Sequence, residues 1–463
     1  MRRFFTNTVC TVVLVLIGWL VLAPPARAEG MGILRDTEIE EDIRSLATPI
    51  WKAANLDPKA VKIILVNDDS VNAFVAAGQN LFLNSGLLLR VENVGQLVGV
   101  IAHETGHMAG GHLLRRGAAE SAATFTSFMG LLLGGVAGVI SKNSSAVLAG
   151  ATAGPALGQR QFYAFSRGIE ASADNAGLGF LEKSRQSSAG FLQFMEILQS
   201  METLGGNTSD PYLLTHPLST ERVGLVRNFV DHSPFTQVPS SPEEVEIFAR
   251  IRGKLAAFLG APTAVLRNYP EGRNDLEARY ARSIALLRIP DLDRGLREIN
   301  GLLKDYPKDP YFWELQGQML FLNGRVSEAL PAYRNSVKFK PDAPLIRIDL
   351  ARVMLETGDD SLLGEAIDHL QQASLIEPAM PSLWYNLGIA YGRKGDIGHA
   401  EASLAAAANL ENRSADAKYH AEKALKLLPK DRGKDPARQR SQDIIDRVNQ
   451  MNKDAEDEQR LLP

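Results

Sequence analysis

Three of the chain's eight histidines fall within ten residues: His103, His107 and His112. The first two frame His103-Glu104-Thr105-Gly106-His107, an H-E-x-x-H pattern. On a helix, side chains four apart share one face a turn apart, so both imidazoles can reach a single ion at about 2.0–2.1 Å. Glu104 then stands beside that ion, placed to take a proton from the attacking water. A random chain of this composition would hold about 0.01 such pentapeptides, so the pattern reads as metal-assisted hydrolysis, not accident. His112 reads as a packing or solvent residue.

A hydrolytic zinc site takes three protein ligands and leaves a fourth position open. Downstream, Glu170-Ala171-Ser172-Ala173-Asp174 places two carboxylates at i and i+4. Glu170 is expected as the third metal ligand. Asp174 is expected to accept a hydrogen bond from a ligand imidazole and so fix its tautomer. Ala171, Ala173, Ala176 and Gly177 make that helix face small enough for close packing, which argues against a solvated acidic stripe. One Zn²⁺ per chain is the implied cofactor. A purely structural zinc site would want a fourth closing ligand, and the separate Glu104 argues for catalysis instead.

The elements that must hold these groups can be read around them. Val94–Ile101 is apolar enough to bury the first-ligand helix, which the pattern extends over 95–116. A second helix is expected over 166–184, carrying Glu170 and Asp174. Lys62-Ile63-Ile64-Leu65-Val66 is a β-branched strand closed by Asn67-Asp68-Asp69. Ala73-Phe74-Val75-Ala76 and Leu81-Phe82-Leu83 flank Ala77-Gly78-Gln79-Asn80 and predict a hairpin. Between Glu120 and Lys142, and again from there to Arg160, no charge occurs. Its glycines make 121–159 a poor free-standing span, and a flexible flap or membrane-surface hairpin with peripheral lipid contact is the preferred expectation.

Residues 1–28 read as an export signal. Arg2 and Arg3 precede an apolar run from Val9 to Leu22, and Ala26-Arg27-Ala28 offers a small-x-small cleavage site. The run is short of the ~20 residues a membrane span needs, and Pro24-Pro25 ends it. Arg2-Arg3-Phe4-Phe5 also fits a twin-Arg signal, while the apolarity of the run favours the ordinary secretory route. The chain has 463 residues with 50 basic and 54 acidic side chains, net −4, and one Cys. Cleavage after Ala28 would remove three Arg and Cys10, leaving a periplasmic chain at net −7 without a thiol. That acidic balance argues against nucleic-acid binding, and no disulfide framework is available.

Ser233–Glu243 is rich in Pro and Ser and reads as a linker, followed by a helix over 244–259. Beyond it the sequence repeats. Trp313, Gly317, Leu320, Ala329, Tyr333 and Pro341 fall on one template, and Trp384, Leu387, Gly388, Tyr391, Ala400 and Leu404 fall on it again. Ala351, Met354, Ala366, Leu370 and Pro378 supply a copy between them. The 34-residue step from Pro307 to Pro341 is the tetratricopeptide period. The expected fold is therefore mainly α: a helical metallopeptidase domain of zincin type with a small β-hairpin or sheet over 29–260, then an α-solenoid of tetratricopeptide repeats over 261–463 with a C-terminal cap. His232, His369, His399 and His420 lack ligand spacing and are read as structural or exposed.

H-E-x-x-H followed by E-x-x-A-D resembles the zinc metallopeptidase family that contains the CAAX prenyl proteases and the heat-shock protease HtpX. Asn72-Ala73-Phe74, Ser85-Gly86-Leu87-Leu88 and the Thr215-His216-Pro217…Arg222 block match that family's further motifs. The signal peptide and repeats narrow the likeness to its periplasmic branch, proteases and chaperones of outer-membrane assembly. The resemblance implies zinc on His103, His107 and Glu170, Glu104 as general base and Asp174 behind the ligands. It implies that His216 either stabilises the oxyanion or approaches the metal as a latch. Asn72, Ala73, Phe74 and Val75 are implied to bind substrate, through an exposed strand edge that pairs with an extended peptide. The implied function is zinc-dependent endopeptidase action on misfolded or misassembled outer-membrane proteins. The repeats would recruit unfolded envelope proteins or the outer-membrane assembly machinery. The alternative is predominantly a chaperone or scaffold with latent proteolysis.

Overall fold

The computed structural model describes residues 32–76, 78–111, 158–205, 212, 215–289, 291–430 and 435–461. The expected export signal over 1–28, His112 and residues 121–157 lie outside the described residues. Among the described residues, no helix is long and apolar enough to cross a membrane.

The chain divides into two compact units. The first contains a four-stranded sheet of β1 (Gly32–Leu34), β2 (Lys62–Asn67), β3 (Ala73–Ala76) and β4 (Asn80–Asn84) in the order β1-β2-β4-β3. β2 and β4 run parallel, with Ile64 opposite Phe82, and the other pairs are antiparallel. The expected hairpin is β3–β4, turned at Gly78 with φ 95°, a conformation that glycine adopts without steric cost. Phe74 stacks on Phe82 across it at 4.7 Å. Between β1 and β2 runs α1 (Thr37–Ala53), whose last residues, from Ala47, belong to this unit. After the sheet come α2 (Ser85–Arg90), α3 (Val94–Ala109), α4 (Gly158–Lys183), α5 (Ala189–Gly205) and α6 (Thr220–His232). Leu97, Val100 and Ile101 of α3, Leu178 of α4 and Phe191 and Phe194 of α5 are sealed from solvent. The first-ligand helix ends earlier than 116 because Gly110 and Gly111, the latter at φ 59°, close it.

The second unit begins at Ser240 and also takes in Asp36–Leu46. Its helices are α7 (Pro242–Leu259), α8 (Pro262–Asn268), α9 (Leu276–Arg288), α10 (Leu292–Asp305), α11 (Pro310–Leu322), α12 (Val326–Phe339), α13 (Pro344–Glu356), α14 (Leu363–Ile376), α15 (Pro381–Arg393), α16 (Ile397–Leu410), α17 (Ser414–Leu427) and α18 (Pro436–Leu461). The repeat register is visible in matching contacts. Trp313 Nε1 donates to the Pro307 carbonyl at 2.9 Å, and Trp384 Nε1 donates to Pro378 at 2.8 Å. At Gly317 an added Cβ would lie 2.6 Å from the Tyr333 ring, so that template position admits no side chain.

The division falls before α7, not near residue 260. α7 opens with a capping box, Ser241 and Glu244 each bonding the other's backbone. Its Arg250 and Lys254 then hold the Asp36–Leu46 segment from within the second unit. Lys254 Nζ lies 2.8 Å from Asp36 and 3.0 Å from Glu38, and Arg250 lies 3.0 Å from Glu38 and 2.6 Å from Asp309. Tyr280 donates to Glu38 at 2.6 Å. Buried charges persist only when paired in this way, which ties α7 to the repeat helices.

Candidate metal centre

α3 carries His103, Glu104 and His107. Asn93 caps it, accepting from the Gln96 amide at 3.0 Å, and its residues from Val94 to His107 are largely buried. α4 carries Glu170 and Asp174. The two helices meet at van der Waals limits: a Cβ on Gly106 would lie 2.4 Å from the Ala173 carbonyl oxygen. That approach brings the i and i+4 pair of α3 against the i and i+4 pair of α4.

The result is a sealed cluster. Ligand atoms of His103, His107, Glu170 and His216 all lie within 4.8 Å of one another. His107 Nε2 is 3.1 Å from His103 Nε2, and His216 Nδ1 is 3.2 Å from His103 Nε2 and 3.0 Å from Glu170 Oε2. The ring tautomers follow from the outer partners. Asp174 Oδ1 accepts from His103 Nδ1 at 2.8 Å, and the Ala73 carbonyl accepts from His216 Nε2 at 3.1 Å. In neutral rings this leaves His103 Nε2 and His216 Nδ1 as lone pairs facing each other and the Glu170 carboxylate, an arrangement that asks for a cation between them. Three imidazole nitrogens and one carboxylate oxygen suit zinc in type and number.

The local field agrees. Burial pulls the His103 pKa down, but the hydrogen bonds to Asp174 and Glu170 outweigh it and raise the value to about 10. Positive charge is thus favoured where the imidazoles converge. Burial lowers His107 to about 3, overriding Glu170, so that ring stays neutral and able to ligate. Burial also raises Glu104, opposed by His216 and His103. Glu104 is fully buried; His216 Nε2 lies 3.3 Å from its Oε1, and neither oxygen accepts a hydrogen bond among the described residues.

Arg222, at the start of α6, closes the back of the cluster. Its Nε donates to Asp174 Oδ2 at 2.7 Å and its Nη2 to Asp174 Oδ1 at 2.8 Å, while Nη1 donates to the Pro217 carbonyl at 2.8 Å. The same guanidinium therefore fixes the carboxylate that orients His103 and the backbone beside His216. Burial opposes Asp174's charge, but Arg222 and His103 hold its pKa below the usual carboxylate value. Tyr212, not singled out from sequence, lays its ring 4.7 Å from that of His216. Its four-residue offset from His216 was the available signal.

The other expected site residues lie close by. Asn72 is buried and its Oδ1 lies 3.4 Å from Thr215 Oγ1. Ala73, Phe74 and Val75 form the edge strand β3, with no further strand beside it among the described residues, but their side chains are buried. His232 is exposed, His369, His399 and His420 are partly exposed in helices of the second unit, and none of the four belongs to the cluster.

The model of peptidase family M48 matches residues 34–230, and a tetratricopeptide repeat model matches 280–344. Metalloprotease YcaL of Escherichia coli is 30% identical over 187 residues, covering 40% of this chain and 68% of that one. The chain belongs to peptidase family M48. This M48 metallopeptidase is also 24% identical over 366 residues to the beta-barrel assembly-enhancing protease of Yersinia pestis, covering 78% of this chain and 74% of the relative. The protein of that name from Escherichia coli is 25% identical over 330 residues, covering 70% and 67%.

Proposed function

We propose that this M48 metallopeptidase is a zinc-dependent endopeptidase of the cell envelope that degrades misfolded or misassembled outer-membrane proteins. The observation that carries the catalytic part is the convergence of His103, His107 and Glu170 with a buried Glu104 beside them, whose carboxylate accepts no hydrogen bond among the described residues. The substrate class draws on relatives named beta-barrel assembly-enhancing protease. Export to the periplasm with cleavage after Ala28, a peptidase domain ending before α7 and a recruiting repeat domain beginning with it complete the proposal. Unfolded envelope proteins and the outer-membrane assembly machinery are the proposed partners, with lipid contact by 121–159.

His103, His107 and Glu170 would hold the zinc ion. When bound, zinc supplies a Lewis acid that polarises the scissile carbonyl and activates water toward attack. Glu104 takes the proton of the attacking water and returns it to the leaving amine, a role suited to a carboxylate whose pKa burial has raised. Asp174 holds His103 in the ligating tautomer, and Arg222 holds Asp174. β3, through the backbone of Ala73–Val75, aligns an extended substrate.

His216 is proposed as a latch. Its Nδ1 shares the cluster with the three ligands, and its Nε2 is tethered to Ala73, on the strand assigned to substrate. This favours a resting state with little proteolysis, in which a scaffold or chaperone role of the repeats dominates until His216 leaves. The imidazole would occupy the position that attack on a peptide requires.

The test is Glu104→Gln with metal content and hydrolysis of an unfolded protein measured together. Zinc retained with hydrolysis reduced by about 10²–10⁴-fold is expected. Undiminished hydrolysis with zinc bound rejects the assignment.

A further inference from the structure

The ladder of β3 fixes which of its backbone groups face away from the sheet. The Asn84 amide donates to the Asn72 carbonyl at 3.0 Å, one step beyond the opposed pair Ala73 and Leu83. Antiparallel strands alternate between opposed residues that bond each other and opposed residues whose N–H and C=O point outward. Phe74 and Ala76 therefore bond back to β4, as Asn72 does, while Ala73 and Val75 turn their amides and carbonyls to the edge. A polypeptide that extends the sheet has to pair with those groups.

The outward carbonyl of Ala73 is already taken. His216 Nε2 donates to it at 3.1 Å, and Ala73 is sealed from solvent. Thr215 Oγ1 lies 3.4 Å from Asn72 Oδ1, so successive residues of the His216 segment lie against successive residues of the strand. The other supports of His216 do not come from β3. Its amide donates to the Tyr212 carbonyl at 2.7 Å, and the Tyr212 ring, 4.7 Å from the imidazole, meets Phe194 edge-on at 5.4 Å. An added strand would place an amide nitrogen about 2.9 Å from the Ala73 oxygen, in the shell where Nε2 now stands.

We propose that His216 and an incoming substrate strand compete for the Ala73 carbonyl, so that pairing with β3 is what lifts His216 out of the cluster. This rests on the metallopeptidase reading above and adds what opens the site. The same geometry restricts the substrate. The residue that donates to Ala73, and the one two positions along that donates to Val75, must each bring a backbone N–H, so neither is proline.

The test measures fluorescence anisotropy of a short labelled peptide of alternating threonine and valine, residues that favour an extended strand. The protein is the zinc-loaded full chain carrying Glu104→Gln, so that the probe is not cleaved, with and without His216→Ala. Loss of the competing imidazole is expected to tighten binding about fivefold or more, the scale of one hydrogen bond. Proline moved along the peptide should weaken binding about tenfold at two positions two residues apart and least at the position between them. With His216 unaltered and histidine-selective labelling, nitrogen NMR should show its ring signals move when the peptide binds, a readout that stands even if the alanine variant folds poorly. Equal affinity with and without the imidazole, or unmoved ring signals with peptide bound, overturns the competition while the proline period leaves strand addition standing. A peptide that fails to bind, or binds without that period, overturns both. Neither result bears on the zinc assignment, which the Glu104→Gln hydrolysis assay decides separately.

Discussion

His103 and Asp174 face each other across two helices with Nδ1 and Oδ1 2.8 Å apart, both side chains sealed from solvent. The carboxylate holds the imidazole proton on Nδ1 and so leaves Nε2 as a ligand. Asp174→Asn should therefore weaken zinc binding by about 10–100-fold. The same change leaves Arg222 only its longer contact with Glu170, 3.4 Å from Nη1, and breaking a buried charge pair costs up to about 3–5 kcal/mol. Zinc competition against a chromophoric chelator, with thermal melts of the zinc-free protein, checks both effects. Wild-type zinc affinity would show that Asp174 does not set the tautomer.

His216 separates two readings of the same cluster. Nδ1 lies 3.0 Å from Glu170 and Nε2 is held by Ala73, and on the proposed latch reading the ring stands where substrate would enter. His216→Ala should raise hydrolysis of an unfolded protein, and about tenfold corresponds to removing roughly 1.4 kcal/mol of self-occupancy. A fall in kcat with zinc retained would instead assign His216 to oxyanion stabilisation.

Part of this arrangement was legible in the chain because it is local. The His103–His107 spacing and the Glu170–Asp174 spacing each report one helix face, and the repeats report themselves through Trp313 and Trp384 at a fixed period. The clasp of Arg222 on Asp174 joins residues 48 apart, and no periodicity in one sequence marks such a pair. The fate of Asp36–Leu46 was hidden for the same reason. Arg250 and Lys254, the partners of Glu38 and Asp36, lie more than two hundred positions later, so the boundary at 240 emerges only from folded contacts.

Asp42 sits in that same segment among Asp36, Glu38, Arg250 and Lys254. Burial, reinforced by the Glu38 charge, pushes its pKa up to about 8. The folded chain then binds this proton more tightly than the unfolded chain, whose Asp titrates near 3.9. Stability from the neutral carboxyl is present at low pH and is lost as pH rises from about 4 toward 8. Asp42→Asn, which cannot ionise, should raise Tm at pH 8 more than at pH 5. Equal shifts at the two pH values would mean that Asp42 is already ionised in the folded protein.

Gly106 tests whether the spacing of α3 and α4 sets the site. It lies between Glu104 and His107 in sequence, yet its Cα faces α4, where an added methyl would come within 2.4 Å of the Ala173 carbonyl oxygen and 2.9 Å of the Ala173 Cα. Backbone cannot swing aside as a flexible side chain does, so Gly106→Ala must push the helices apart. Overpacking of this kind costs about 1–3 kcal/mol, whereas in an isolated helix the change would stabilise by up to about 1 kcal/mol. Separation also pulls His103 and His107 from Glu170 and Asp174 together. Reduced Tm in the zinc-free protein and weaker zinc binding are both expected. Alanine at exposed Gly168, where nothing lies within 4 Å of the added carbon, should produce neither loss. If Gly106→Ala stabilised the fold and left zinc affinity unchanged, close helix contact would not be what assembles the centre.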